Sequence, residues 1–180
     1  MELLTEIYES NIGCPVCNLE KVYTVRKASR AVIVNSLKEI ALLYVSKNTY
    51  YKLPGGGIEK GESIIEALNR EVMEEVGAKI NIVSEIGTII EYKDRYKQLQ
   101  ISYCFLAMVS QIVGDPSFTK EEVNAGFKLK WVKFEDAVTF IKSSKPSNYL
   151  GKFIQKRDLA FLTQLGKIQG NKMLDLYHEK

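Results

Sequence analysis

No apolar run in this 180-residue sequence approaches the roughly 18–20 residues that a membrane-crossing helix needs. Charge of one sign is not in excess either. Lys and Arg total 25 against 22 Asp and Glu, and a net +3 is too small to draw nucleic acid by bulk electrostatics. The opening MELLTEIYES carries acids and no basic region, so no secretory leader is expected and a cytoplasmic location is. Cysteine is sparse and odd in number, at three residues, which fits thiols kept reduced rather than a disulfide framework. Histidine is nearly absent, His178 being the single example. That scarcity bears on Cys14 and Cys17, whose spacing is that of a zinc knuckle. A tetrahedral structural site needs four ligands. The other Cys and His candidates are Cys104, inside an apolar strand pattern, and His178, near the C-terminal end, where chains fray. Two free thiols are expected, with a zinc site as the alternative; no βαβ pattern surrounds the pair to suggest a thioredoxin-like role. There is no internal repeat.

What the sequence does contain is one organising stretch from Leu53 to Ala78, LPGGGIEKGESIIEALNREVMEEVGA. Pro54, Gly55, Gly56 and Gly57 cannot continue a regular element, so backbone there can approach a ligand closely. Ser63 with Glu66 fits a capping box, which starts a helix near Ser63. Ile64, Ile65, Leu68, Val72 and Val76 recur at helical spacing as the buried stripe, and Gly77 stops the helix. The other face carries Glu71, Glu74 and Glu75 at i, i+3 and i+4, with Glu62 just ahead and Arg70 four residues from both Glu66 and Glu74. Side chains so spaced stand about 5–6 Å apart at Cβ, where like charges destabilise a bare helix. The alternative is a plain solvated acidic face. A glycine turn, clustered carboxylates and an embedded arginine together favour a set of hard oxygen ligands for Mg²⁺ or Mn²⁺.

Around this stretch the pattern predicts strands at residues 22–26, 31–34, 40–45 and 50–53, then at 80–92 with a break at Gly87, at 99–109 and at 129–132. A loop is expected from Gly114 to about Gly126, a helix over 134–142, a linker over 143–148 and a final amphipathic helix over 149–165 with a frayed tail. Strands before and after one central helix, closed by C-terminal helices, imply an α/β architecture. The chain divides into an N-terminal extension, 1–28, with the Cys14/Cys17 pair; a central domain, 29–145; and a C-terminal helix packing on that domain with a tail, 146–180.

The organising stretch resembles the Nudix box, G-x5-E-x7-R-E-U-x-E-E-x-G-U, where U is a bulky aliphatic residue. The matching residues are Gly56, Glu62, Arg70, Glu71, Val72, Glu74, Glu75, Gly77 and Ala78, the last smaller than usual at a packing position. The resemblance implies the Nudix fold, a mixed sheet between helices, with 29–145 as the hydrolase domain. It implies Mg²⁺- or Mn²⁺-dependent hydrolysis of a nucleoside diphosphate linked to another moiety. Carried over, Glu71, Glu74 and Glu75 are metal-binding and catalytic carboxylates and Gly55 offers its carbonyl to the metal. Arg70 orients a glutamate, and Glu62 supports the outer shell. The general base is expected from outside the box, at Glu122, with Glu121 and Glu91 as alternatives. Arg30, Lys47 and Lys52, with Arg26, are candidates to hold phosphates beside the backbone of Gly56 and Gly57; Tyr50, Phe118 or Phe127 could stack on a base. A nucleoside triphosphate, cleaved to a monophosphate and pyrophosphate, is the first expectation for substrate. A nucleotide sugar, a dinucleotide and a non-catalytic nucleotide-sensing role are the alternatives. The expected partner is a small nucleotide, with a homodimer open and neither membrane nor nucleic acid expected. Glu75→Gln is expected to remove activity while leaving the apo helix no less stable.

Overall fold

The runs AVIV (31–34), IALLYV (40–45) and SYCFLA (102–107) are largely apolar on both strand parities, which a sheet accommodates only when both of its faces are covered. The computed structural model, which describes residues 1–15 and 22–170, has that arrangement. Its strands are β1 (Leu3–Ile7), β2 (Thr24–Val34), β3 (Ile40–Val45), β4 (Tyr50–Lys52), β5 (Gly55–Gly57), β6 (Ala78–Lys93), β7 (Gln98–Ile112) and β8 (Phe127–Val132). Its helices are α1 (Ile64–Val76), α2 (Lys120–Ala125), α3 (Phe134–Ser143) and α4 (Tyr149–Gly170). The strands form one sheet in the order β1-β6-β7-β2-β3-β4, with β5 on β2 and β8 on β3. β1 runs parallel to β6 and β2 parallel to β7; the remaining pairings are antiparallel.

Strand parity decides which helix each side chain meets. On one face α1 lays Leu68, Val72 and Val76 against Ala31, Ile33, Ala41, Phe105 and Ala107. On the other, α3 and α4 bring Ala137, Ile141, Phe153, Phe161, Leu162 and Leu165 onto Val32, Ile40, Leu42, Ile89 and Cys104. The expected α/β sandwich is therefore present, with α1 packed on one face and α3 and α4 on the other.

The ends of α1 follow the local signals. Ser63 Oγ accepts from the Glu66 N–H at 3.2 Å, and the Glu66 carboxylate accepts from the Ser63 N–H at 2.8 Å. Gly77 closes the helix in the left-handed region at φ 68°. Contrary to the expectation that these glycines continue no regular element, Gly55–Gly57 enter the sheet as β5, pairing Gly55 with Arg30, Gly56 with Ser29 and Gly57 with Ala28.

Several elements differ from the sequence reading. β1 was hidden because LLTEI alternates weakly, and its pairing partner β6 lies some eighty residues away, in register from Leu3↔Thr88 to Ile7↔Glu91. The loop after β7 holds the short α2, capped by Thr119 with Glu122 and too brief to show a period. α4 continues to Gly170 rather than fraying after Gly166. β6 does not stop at Gly87; the register shifts there and the chain continues, with φ 152° at a glycine whose missing Cβ leaves room for Leu4 of β1. Cys14 is a half-buried free thiol packed against the core and Cys104 is fully buried, while Cys17 and His178 lie outside the described residues.

Candidate active site

The carboxylates of α1 are organised by two cations. Arg70 donates from Nε and Nη2 to both oxygens of Glu62, at 2.8 and 3.1 Å. Its Nη1 reaches Glu71 at 2.9 Å and Glu74 at 3.3 Å, and Nη2 also donates to the Gly57 carbonyl at 3.0 Å. A planar fork thus gathers three acids and the end of the turn, the task to which guanidinium is suited. The hydrogen bonds from Arg70 hold the Glu62 carboxyl down at about 2, and those same bonds raise Arg70 above its ordinary value.

Glu75 is the buried member, 1% exposed. Its Oε1 accepts from Lys52 Nζ at 2.7 Å and its Oε2 from the Gly55 N–H at 2.6 Å. Burial pushes its carboxyl up, outweighing Lys52 and that backbone donor. The Gly55 carbonyl accepts from Arg30 Nη1 and, at 3.3 Å, from Lys52 Nζ. Glycine is required at Gly55, and at Gly56 it leaves room for a carboxylate. Gly55 sits at φ 123°, and a Cβ there would lie 2.2 Å from the Ser29 carbonyl oxygen; at Gly56 a Cβ would lie 2.2 Å from Glu71 Oε1. The Glu71 carboxylate occupies the space that only glycine leaves open.

The fold therefore brings together Gly55, Gly56, Gly57, Glu62, Arg70, Glu71, Glu74, Glu75, Arg30 and Lys52, with the Arg26 guanidinium against Gly57. Other candidates are placed differently. Lys52 is 8% exposed and committed to Glu75 and Gly55, so it acts within the site rather than as an open phosphate hand. Lys47 is exposed on the turn between β3 and β4 and pairs with no described residue. The Glu122 carboxylate accepts from the Thr119 N–H and hydroxyl at 2.8 and 3.0 Å, closing the cap of α2. Tyr50 is 6% exposed and buried too deeply to stack on a base. Phe127 lies under Lys52 Nζ, 5.1 Å from ring centre to nitrogen, and meets Phe118 edge-to-face at 5.8 Å.

Glu91 is corrected as a base candidate. It is fully buried, and Arg157 and Lys93 together outweigh its burial and keep its carboxyl below the ordinary value, so it stays a paired anion. Around it stand Lys93, Gln100, Ser102, Arg157 and Asp158, all buried polar residues that the sequence reading passed over. One signal was available: Arg157 lies four residues from both Phe153 and Phe161, a charge inside an apolar stripe.

The donor set fits a hard divalent cation in kind: three carboxylates and a backbone carbonyl gathered around one glycine turn. Among the described residues no three acid, Cys or His side chains converge closely enough to hold a cation as they stand, since Arg70 and Lys52 occupy the carboxylates. Within those same residues no helix is long and apolar enough to cross a membrane.

Known proteins resemble this chain in sequence and in fold. The chain is 33% identical over 124 residues to diphosphoinositol polyphosphate phosphohydrolase 2 of Rattus norvegicus, a match covering 67% of this chain and 65% of that protein, just under two thirds of the relative's length. Among solved structures, the MutT protein of Methanosarcina mazei aligns with a TM-score of 0.55 at 22% identity, over 83% of this chain and 99% of the other. A C. elegans Ap4A hydrolase in a binary complex aligns at 0.56 and 20%, over 82% and 99%. These two likenesses bear on the fold. A family profile described as NUDIX domain matches residues 24–152, most of the chain. The chain belongs to the Nudix hydrolases, a family of phosphohydrolases and pyrophosphatases that generally use divalent ions such as Mg²⁺.

Proposed function

We propose that this protein hydrolyses a phosphoanhydride bond of a nucleoside diphosphate linked to another group, a nucleoside triphosphate first, with Mg²⁺ or Mn²⁺ held by Glu71, Glu74, Glu75 and the Gly55 carbonyl. The observation that carries this reading is the seat of the Glu71 carboxylate over Gly56, in the space a Cβ there would take. A cation there supplies charge neutralisation at the phosphate oxygens and a more acidic water. The protein's own residues do the positioning. Arg70 keeps Glu62, Glu71 and Glu74 on one side of the turn, so their mutual repulsion is paid before substrate arrives. Lys52 pairs with Glu75 in a buried place and fixes where that carboxyl sits, and Arg30 orients the Gly55 carbonyl from β2. Arg26, half-buried beside Gly57, is the guanidinium best placed to meet a substrate phosphate. The Phe118–Phe127 pair beside Lys52 offers an aromatic edge to a base, which favours a nucleotide. Glu122, released from its cap, is the base proposed for the reaction.

A second reading is favoured by the relatives: a densely phosphorylated substrate such as a diphosphoinositol polyphosphate. Purified protein assayed with Mg²⁺ and with Mn²⁺ against nucleoside triphosphates, nucleotide sugars, dinucleotides and diphosphoinositol polyphosphates should release phosphate or pyrophosphate from one class and lose that activity in EDTA. Silence across all four with both metals, together with tight nucleotide binding, would leave a sensing module instead.

A further inference from the structure

Arg157 and Asp158 are 1% and 0% exposed on α4. A buried ion pair is a poor way to hold a helix, because apolar residues of similar volume often serve as well or better. What this pair does is reach out of the helix in two directions. Asp158 Oδ1 accepts from Arg157 Nε at 2.7 Å, while its Oδ2 accepts from the Leu53 N–H at 2.8 Å. Leu53 lies between β4 and β5, where its buried N–H would otherwise lack a partner. Two residues later comes Gly55.

The second arm runs through the sheet. Arg157 Nη1 stands 3.5 Å from Glu91 Oε2. That oxygen accepts from Gln100 Nε2 at 2.7 Å and from Ser102 Oγ at 3.1 Å. Gln100 Oε1 accepts from Lys93 Nζ at 2.9 Å and from Arg26 Nη1 at 2.7 Å, and the Arg26 guanidinium packs on Gly57. One turn of α4 thus holds the entry of the glycine turn through Leu53 and its exit through Arg26. Both residues lie beyond position 152, where the family profile ends.

We propose that Arg157 and Asp158 are positioning residues that clamp the glycine turn from α4 and so set the geometry in which the Gly55 carbonyl and the α1 carboxylates receive a divalent cation. The cation half of this rests on the metal reading above; the clamp half does not. Asp158→Asn keeps volume but offers one oxygen where two N–H donors must be met, and Arg157→Lys keeps charge but loses the fork. Phe161→Leu, in the same helix and wholly buried, is the control for general destabilisation.

Two measurements on the full chain separate the halves. Amide hydrogen exchange at Gly55 to Gly57, without metal, should speed up in Asp158→Asn and Arg157→Lys and stay at the wild-type rate in Phe161→Leu. Mn²⁺ binding without nucleotide, followed by electron paramagnetic resonance, should weaken by about tenfold or more in the two clamp variants and not in the control, as expected when a residue that orients metal ligands is lost. If Asp158→Asn does not fold, Arg157→Lys carries both readouts. Wild-type exchange at the turn in the clamp variants, or equal acceleration in Phe161→Leu, overturns the clamp. Failure of the wild-type protein to bind Mn²⁺ overturns the metal reading while the exchange result still decides the clamp.

Discussion

Glu74 and Glu75 are neighbours in the chain whose surroundings have little in common. The Glu74 side chain is 39% exposed and touches Arg70 at 3.3 Å; Glu75 is 1% exposed and shares its oxygens between Lys52 and the Gly55 N–H. The structure therefore revises the expectation that Glu75→Gln leaves stability intact. Removing that charge strands a buried ammonium, which costs about 3–5 kcal/mol and in a chain of this size lowers Tm by something on the order of 10 °C. Glu74→Gln strands nothing and should leave Tm unchanged. Both should lose turnover with Mg²⁺ by roughly 100-fold or more, since a cation supplies several kcal/mol at the transition state. Glu66→Gln, whose carboxylate serves only the cap, should keep its rate. Turnover and melting curves for the three variants check this; equal rates would remove the carboxylate row from the chemistry.

At the scale of elements, α1 has a local job and a distant one. Its N-terminus is fastened by the reciprocal Ser63–Glu66 cap, and its C-terminal half carries the acids to the turn. Ser63→Ala removes the side-chain acceptor for the Glu66 N–H and should cost about 1 kcal/mol, seen as a fall in Tm of a few degrees. The Mg²⁺ dependence of turnover should not move, because Glu71 and Glu75 lie two to three helical turns away and are held by tertiary partners. A changed Mg²⁺ dependence would mean that fraying of the helix end reaches the site. The short α2 shows the opposite balance: Thr119 and Glu122 signal its start, but six residues carry no period, so the sequence reads as loop.

For the molecule as a whole, the buried charges between sheet and α4 make stability depend on pH. Burial lowers Lys93 from the ordinary 10.5 to about 8; Glu91 opposes the shift, and Arg157 and Arg30 add to it. Between those values the unfolded chain binds more protons at this lysine than the folded one does. Stability from this group must therefore rise with pH across about 8 to 10.5, and below 8 the contribution is flat. Denaturant midpoints of wild type and Lys93→Met, taken from pH 7 to 10.5, should diverge in favour of wild type as pH rises. Parallel curves would show that the folded state does not depress this lysine.

Local spacing was enough to read the glycine turn, the capped helix, the row of acids and most strands, because each depends on residues within a turn or two of one another. The sequence by itself also determined that both faces of the sheet are covered, through apolar runs on both parities of β2, β3 and β7. What only the tertiary structure decided is which charge meets which. Lys52 and Glu75 are 23 positions apart, and Arg157 and Glu91 are 66 apart, so no window of sequence joins them. The same distance hid β1, and it made Lys52 read as a hand for substrate and Glu91 as a base. A charged residue looks solvated until the fold removes water from around it, and the partner that offsets that loss comes from wherever the chain returns.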